Sequence, residues 1–314
     1  MPAPDDPRDA PGTRGYPELS RLGDLPSGHP SRPDTPAAPQ AREAEYADHV
    51  TEIKEALHDA RDRGQATWVR HSVDGDGEVW TRDRRDEHDK IISDLYAAAA
   101  GVPCEGKAII IGGLPGAGKT TVLRDHLGPD WVGWLAINPD AIKYELAARE
   151  LVPKIEPLTP MEATELTHEE SSHIAKRLAG RAMAEHKNVV WDITLASGRS
   201  AAERIDQLRD AGYRRIEGVF VDVPVQTSLE RVAERHRKGD DEYRTTGAGL
   251  GGRFISDDVI RAQSDERWGS TNRRSFEHLK DRFDAWYFYD NSGEAAVLKD
   301  QYPARADPEA ERWR

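Results

Sequence analysis

"KAIIIGGLPGAGKTT", residues 107–121, is the stretch on which the fold of this chain turns. An apolar run passes into a glycine-rich turn, and Gly113, Gly118, Lys119 and Thr120 stand at the spacing G-x-x-x-x-G-K-[ST]. A strand before that spacing and a helix after it make a phosphate-binding loop. The residue types follow from the chemistry. The backbone of Gly113, Leu114, Pro115, Gly116, Ala117 and Gly118 curls around phosphates, and the helix opening near Gly118 aims its positive end at them. Lys119 reaches the outer phosphates, and the hydroxyl of Thr120, followed by Thr121, ligates Mg²⁺. A plain strand-to-helix turn needs neither the lysine nor the hydroxyl. The reading is therefore a nucleoside triphosphate site with Mg²⁺, and because the sequence has no base-reading N-K-x-D segment after a later strand, ATP is a better donor than GTP.

Outward from this loop, apolar strand candidates "KAIII", "GWLAI", "NVVWDI", "IEGVFVDV" and "AWYFY" alternate with amphipathic helices or loops. Such alternation predicts an α/β fold: a three-layer, doubly wound, mostly parallel sheet around one core. A repeat of fixed period is not visible, so solenoids and propellers find no support.

The flanks differ in character. Residues 1–40 carry 10 of the 20 prolines and read as a disordered tail. Residues 41–104 read as a helical N-terminal extension, in which Tyr46, Val50, Ile53 and Leu57 form one narrow apolar stripe. "RRDEHDKIISDLYAAAAG" gives a second helix with Ile91, Ile92, Leu95 and Tyr96 inward. The core domain spans 105–293, and 294–314 is a C-terminal tail.

Composition excludes several functions. The apolar runs fall short of the roughly 20 residues a membrane span needs. A formal charge of −13 over 314 residues disfavours nucleic acid as a partner, whereas a small phosphorylated molecule fits a local cluster of arginines. The single Cys104 and a start, "MPAPDDPRDA", without a cationic and then apolar leader point to a reducing cytoplasm.

Two motif matches fail on context. "GAGLGG", residues 247–252, fits G-x-G-x-x-G, but polar residues precede it instead of a strand, so it reads as a flexible loop. "HEESSH", residues 168–173, spaces its histidines by five, about 140° apart around a helix, where a zinc-protease helix spaces them by four.

"INPDAIK", residues 137–143, follows the second strand candidate. Residues at the carboxyl ends of strands line the ligand crevice of an open α/β sheet, which puts Asp140 on the Lys119 side as a base for an attacking hydroxyl. Asn138, Pro139 and Asp140 would equally start a helix well, as cap, first residue and first-turn acid. Spacing leaves both readings standing.

The set "GLPGAGKTT", "INPDAIK", "THEESSHIAKRLAGRAMAEHKNVVWDIT" and "AGYRRIEGVFVDVP" resembles the zeta toxin family of P-loop kinases over roughly Asp83 to Asn291. The resemblance implies an adenylate-kinase-like fold and transfer of the ATP γ-phosphate to a small-molecule hydroxyl, best known as the 3′-hydroxyl of UDP-N-acetylglucosamine. It implies Lys119 and Thr120 as ATP and Mg²⁺ residues, Asp140 as the catalytic carboxylate and Thr194 as substrate-contacting; Asp192 is selected as the acid that ends the apolar strand "NVVWDIT", where it would hold Mg²⁺ or meet the substrate. Ile193 stands where the family often carries glycine. Glu170, on an inward helix face with Ile174 and Leu178, is a candidate for sugar hydroxyls or for helix capping, and Arg199 in "ASGRS" for the substrate diphosphate. A lid at about 236–262, with Arg231 and Arg235 before and at its edge, brings Arg253 and Arg261, of which at least one reaches the γ-phosphate.

The family's toxins are restrained by an antitoxin, which implies such a partner or intramolecular inhibition by the striped N-terminal helix. Two rival readings are a kinase of another nucleotide-linked metabolite such as NAD, and an ATP-binding switch without transferase activity.

Overall fold

A computed structural model of the chain describes residues 39–303. The proline-rich segment before Pro39, expected to be disordered, lies outside the described residues, as does the chain after 303. Helices α1–α11 run Pro39–Asp62, Thr67–His71, Arg82–Ala98, Lys119–Leu127, Pro139–Ala148, Pro160–Ala163, His168–Ala184, Gly198–Asp210, Val225–Thr246, Asp257–Arg261 and Thr271–Leu279. Strands β1–β8 run Lys107–Gly112, Leu135–Ile137, Val189–Asp192, Arg215–Asp222, Ser264–Asp265, Gly269–Ser270, Ala285–Asp290 and Val297–Tyr302. These divide into two interleaved units, where the sequence predicts one core. Among the described residues, one holds 101–138, 178–232 and 257–303; the other holds 39–100, 139–177 and 233–256.

The first unit is built on a six-stranded sheet of order β2-β3-β1-β4-β7-β8. Its first five strands are parallel, and β8 pairs antiparallel with β7. The near-continuous apolar runs of β1 and β4 are what strands covered on both faces require. Ile109, Ile111, Val219 and Val221 pack with Val122 and Leu123 of α4. Phe220, pointing the other way by strand alternation, stacks on Phe276 of α11 at 5.0 Å and on Phe288 at 5.8 Å between ring centroids. All five predicted strands form. The sixth, β8, falls in the stretch predicted as a C-terminal tail. Its residues are mostly exposed, and it joins the sheet through backbone pairing, so no burial pattern marks it in "VLKDQY".

The second unit has its own apolar cluster of Ile53, Leu57 and Ala60 from α1 with Leu166 and Phe254. The predicted stripe is therefore the docking face of α1. In α3, Ile91, Ile92 and Tyr96 are buried as predicted and Leu95 half so, but Arg84 and His88 are buried as well. Among the described residues no helix is long and apolar enough to cross a membrane.

Candidate active site

In the sheet unit, the connection from β1 runs to β2 on one side and that from β4 toward β7 on the other, so the carboxyl ends of the neighbours β1 and β4 flank a topological switch point. The glycine-rich loop leaves the sheet there. Gly118, the residue before α4, has φ of 82°, and a Cβ on it would lie 2.5 Å from Asn291 Nδ2. Glycine is thus required by conformation and by space. Asn291 Nδ2 donates to the Ala117 carbonyl at 2.8 Å, and Ser228 Oγ donates to the Pro115 carbonyl at 2.6 Å. Helix α4 opens with no side-chain cap, so its first amides face the loop it would use to hold an anion.

Lys119 Nζ lies 3.5 Å from the Gly113 carbonyl and 3.8 Å from Asp192 Oδ1. Asp192 ends β3, paired in register with Ile111 of β1, and its Oδ2 accepts from Asn138 Nδ2 at 3.0 Å. The Thr120 hydroxyl and the Asp192 carboxylate are hard oxygen donors of the kind Mg²⁺ takes. Thr194 meets the loop through its backbone: its carbonyl accepts from the Gly113 amide at 3.3 Å and from Asn272 Nδ2 at 2.6 Å. Ile193 donates its amide to the Ile111 carbonyl at 3.0 Å, and the left-handed residue in this turn is Leu195, with φ of 62°. A side chain at 193 is therefore accommodated.

Sequence reasoning missed the carboxylates ending the next strands. Asp222 and Asp290 are partners in the β4–β7 register, and Arg273 Nη1 donates to Asp222 Oδ2 at 3.1 Å. Burial pushes the Asp222 carboxyl up to about 6; Arg273 opposes the rise and Asp290 reinforces it. The rule that selected Asp192, an acid closing an apolar strand, would have found both in "FVDVP" and "FYDN".

In the other unit, Asp140 stands in the first turn of α5 behind Pro139, as both readings require. The helix is anchored by buried Ile142, Leu146 and Ala147, and by Lys143, whose Nζ lies 2.9 Å from Glu165 Oε1. Arg253 Nη1 donates to Asp140 Oδ2. The loop ahead of Arg253 is held close. A Cβ on Gly252 would lie 1.9 Å from the His236 carbonyl oxygen, and the Leu250 carbonyl accepts the Met161 amide at 2.9 Å. Gly252 thus serves close backbone approach at the end of "GAGLGG", next to Arg253, whereas Gly247 and Gly249 adopt φ of 66° and 81° with open space around them.

Glu170 is corrected as well. It is fully buried, with Arg84 Nε and Nη2 at 2.5 and 2.8 Å and His88 Nε2 at 2.7 Å from its oxygens. Burial alone would raise its pKa, but the hydrogen bonds from His88 and Arg84 outweigh that and hold the carboxyl down at about 2. Both oxygens are engaged within the protein, so Glu170 is a buried structural anion and not a substrate contact. The helix period placed it inward correctly; its partners, more than 80 residues away in sequence, were not legible.

The remaining arginines vary. Arg199 is exposed in the first turn of α8, and Arg235 is exposed on α9. Arg231 Nη2 reaches the Gly293 carbonyl at 3.5 Å, and Arg261 Nε lies 3.7 Å from Asp257 within α10.

The zeta toxin family model matches residues 103–301. A solved structure from the PezAT chromosomal toxin-antitoxin system of Streptococcus pneumoniae aligns over 75% of this chain and 87% of its own, with a TM-score of 0.50 and 16% identity. The native AvrRxo1-ORF1:ORF2 complex aligns over 72% and 69%, with a TM-score of 0.54 and 19% identity. The same complex with ATP aligns over 76% and 73%, at 0.52 and 19%. At these identities the likeness shows the shared fold. No curated protein matches the chain.

Proposed function

We propose that this chain, which belongs to the zeta toxin family, is an ATP-dependent kinase that passes the γ-phosphate to a hydroxyl of a nucleotide sugar, foremost the 3′-hydroxyl of UDP-N-acetylglucosamine. The observation that carries this reading is the hydrogen bond from Arg253 to Asp140. A carboxylate held beside a guanidinium is what an acceptor hydroxyl and a moving phosphoryl group need, and an ATP-operated switch has no use for it.

In the proposed reaction the acceptor oxygen bonds to the γ-phosphorus, the bond from that phosphorus to the ADP oxygen breaks, and the hydroxyl proton passes to Asp140. Arg253 turns from Asp140 to the transferring group, freeing the carboxylate to accept. Lys119 and the first amides of α4 hold the outer phosphates. Bound Mg²⁺ supplies charge neutralisation on the triphosphate, and Thr120 and Asp192 are the residues that would hold it. Asp192 and Thr194 border the acceptor, with Arg199, Arg231, Arg235 and Arg261 as further phosphate contacts. The related structure solved with ATP supports the choice of donor.

The PezAT relative comes from a toxin-antitoxin system, and by analogy the partner proposed here is an antitoxin protein in a reducing cytoplasm. Restraint by α1 is the intramolecular version of the same role.

The test is ATP turnover with a panel of UDP-sugars and NAD, the phosphorylated product identified by mass spectrometry. The expected result is product from UDP-N-acetylglucosamine. Tight ATP binding without product from any acceptor would sink the kinase reading.

A further inference from the structure

We infer that His49, Glu162 and His236 form a site for a transition-metal ion of the Zn²⁺ type, clasping α1 to α6 and α9. His49 lies before the residues matched by the family model, and the other two lie within them, so the site fastens the N-terminal extension to the family domain. The inference is independent of the kinase reading.

The geometry carries it. His236 Nε2 is 2.9 Å and His49 Nε2 3.2 Å from the same Glu162 oxygen, Oε1, and all three ligand atoms lie within 4.8 Å of one another. Asp240 Oδ2, 3.4 Å from His49 Nε2, offers a fourth donor. With metal–ligand bonds of about 2.0–2.2 Å, the edges of a tetrahedral site are roughly 3.3–3.5 Å, close to the separations of 2.9, 3.2 and 3.4 Å that His236–Glu162, His49–Glu162 and His49–Asp240 already have. Glu162 and His236 are buried, as a closed site requires.

The outer shell is also in place. Glu162 Oε2 accepts the Thr159 amide at 2.7 Å, which turns Oε1 toward the histidines. The Tyr46 hydroxyl donates to the Ala233 carbonyl at 3.3 Å, and its oxygen lies 2.9 Å from His236 Nδ1. With its one proton so directed, Tyr46 accepts from Nδ1–H, which fixes the ring with Nε2 facing Glu162 Oε1. A metal-ligating imidazole is commonly fixed through its second nitrogen in this way.

One hydrogen bond at His49 Nε2 cannot serve all of its neighbours at once. It faces Glu162 Oε1 and Asp240 Oδ2, which ask it to donate, and Arg244 Nη2 at 3.3 Å, which asks it to accept. A divalent ion would take the lone pairs of Nε2 and both carboxylates together. Arg244, bound to Asp240 through Nε at 2.7 and 2.9 Å, has its side chain 47% exposed and so has room to swing into solvent.

The experiment uses the full-length chain carrying Cys104→Ser, which removes the one thiol. Stripped of metal and held in excess Mg²⁺ to fill oxygen sites, it is titrated with Zn²⁺ against a chromophoric chelator and separately with Co²⁺. The expected result is about one equivalent of Zn²⁺ and the visible bands of a tetrahedral nitrogen–oxygen Co²⁺ complex. His49→Gln, at a partly exposed position, should weaken binding at least about tenfold with an unchanged far-UV spectrum. It should also abolish the rise in melting temperature that Zn²⁺ gives the parent. Absence of Zn²⁺ binding in the parent, or equal binding by the His49→Gln variant, overturns the site. Should that variant misfold, an octahedral or featureless Co²⁺ spectrum of the parent overturns it too.

Discussion

Arg253 Nη1 donates a hydrogen bond to Asp140 Oδ2 across 113 residues of sequence, joining the first turn of α5 to the residue after the "GAGLGG" loop of 247–252. The Asp140 side chain remains 43% exposed, and that of Arg253 16%. The carboxylate is thus oriented by an arginine while remaining partly exposed.

Asp140→Asn keeps a residue suited to a helix start but removes the proton acceptor. Turnover should fall about 100-fold or more, in line with loss of a positioned base, while ATP affinity measured by calorimetry stays near the parent's. Near-normal turnover would leave Asp140 as a helix-starting residue only.

Gly118→Ala places a side chain where φ is 82° and Asn291 Nδ2 is 2.5 Å from the new Cβ. The backbone conformation costs about 1–2 kcal/mol, and Asn291 must move off the Ala117 carbonyl. The expected outcome is at least a tenfold loss of ATP affinity by calorimetry.

Asp222 gives a pH signature. Its carboxyl is raised by burial to about 6, so the folded protein holds a proton that the unfolded chain has already released. Stability therefore falls as pH rises from the ordinary carboxylate range to about 6, and the cost persists above it. Asp222→Asn should match the parent below about pH 4 and exceed it above pH 6, by on the order of 1 kcal/mol after discounting for solvent screening. Urea melts at pH 4 and pH 7 check this; a difference that grows toward acid pH contradicts it.

Glu170 has the opposite sign. Held at about 2, it contributes stability that is present above the ordinary carboxylate pKa and lost as pH falls toward 2. Glu170→Gln leaves Arg84 buried without its counter-charge and should cost about 3–5 kcal/mol in denaturant unfolding at neutral pH. A loss confined to acceptor affinity would instead restore Glu170 as a substrate contact.

The candidate site was legible to the extent that it is local. Lys119 and Thr120 stand on one strand–turn–helix, and Asp192 closes an apolar strand, so spacing and a carboxyl-end rule were enough to find them. Asp222 and Asp290 obey the same rule and were overlooked. The close packing of Gly252 was not legible in "GAGLGG", because a glycine that lets the chain pass against the His236 carbonyl reads in sequence like any other glycine. Strand β8 escaped because an exposed edge strand needs only backbone pairing, which leaves no alternation in its side chains.

By itself the sequence determined the phosphate loop, the five parallel strands and the apolar face of α1, since each is written in residues a few positions apart: glycine and lysine spacing, unbroken apolar runs, a helical period. The tertiary structure alone decided that Asp140 meets Arg253, that Glu170 is enclosed by Arg84 and His88, and that His49 of the extension lies against Glu162 and His236. These partners are drawn from distant segments, and a lone arginine, glutamate or histidine reads the same in sequence whether it faces solvent or a buried counterpart. Burial and pairing, which set their charge and chemistry, exist only once the segments have packed.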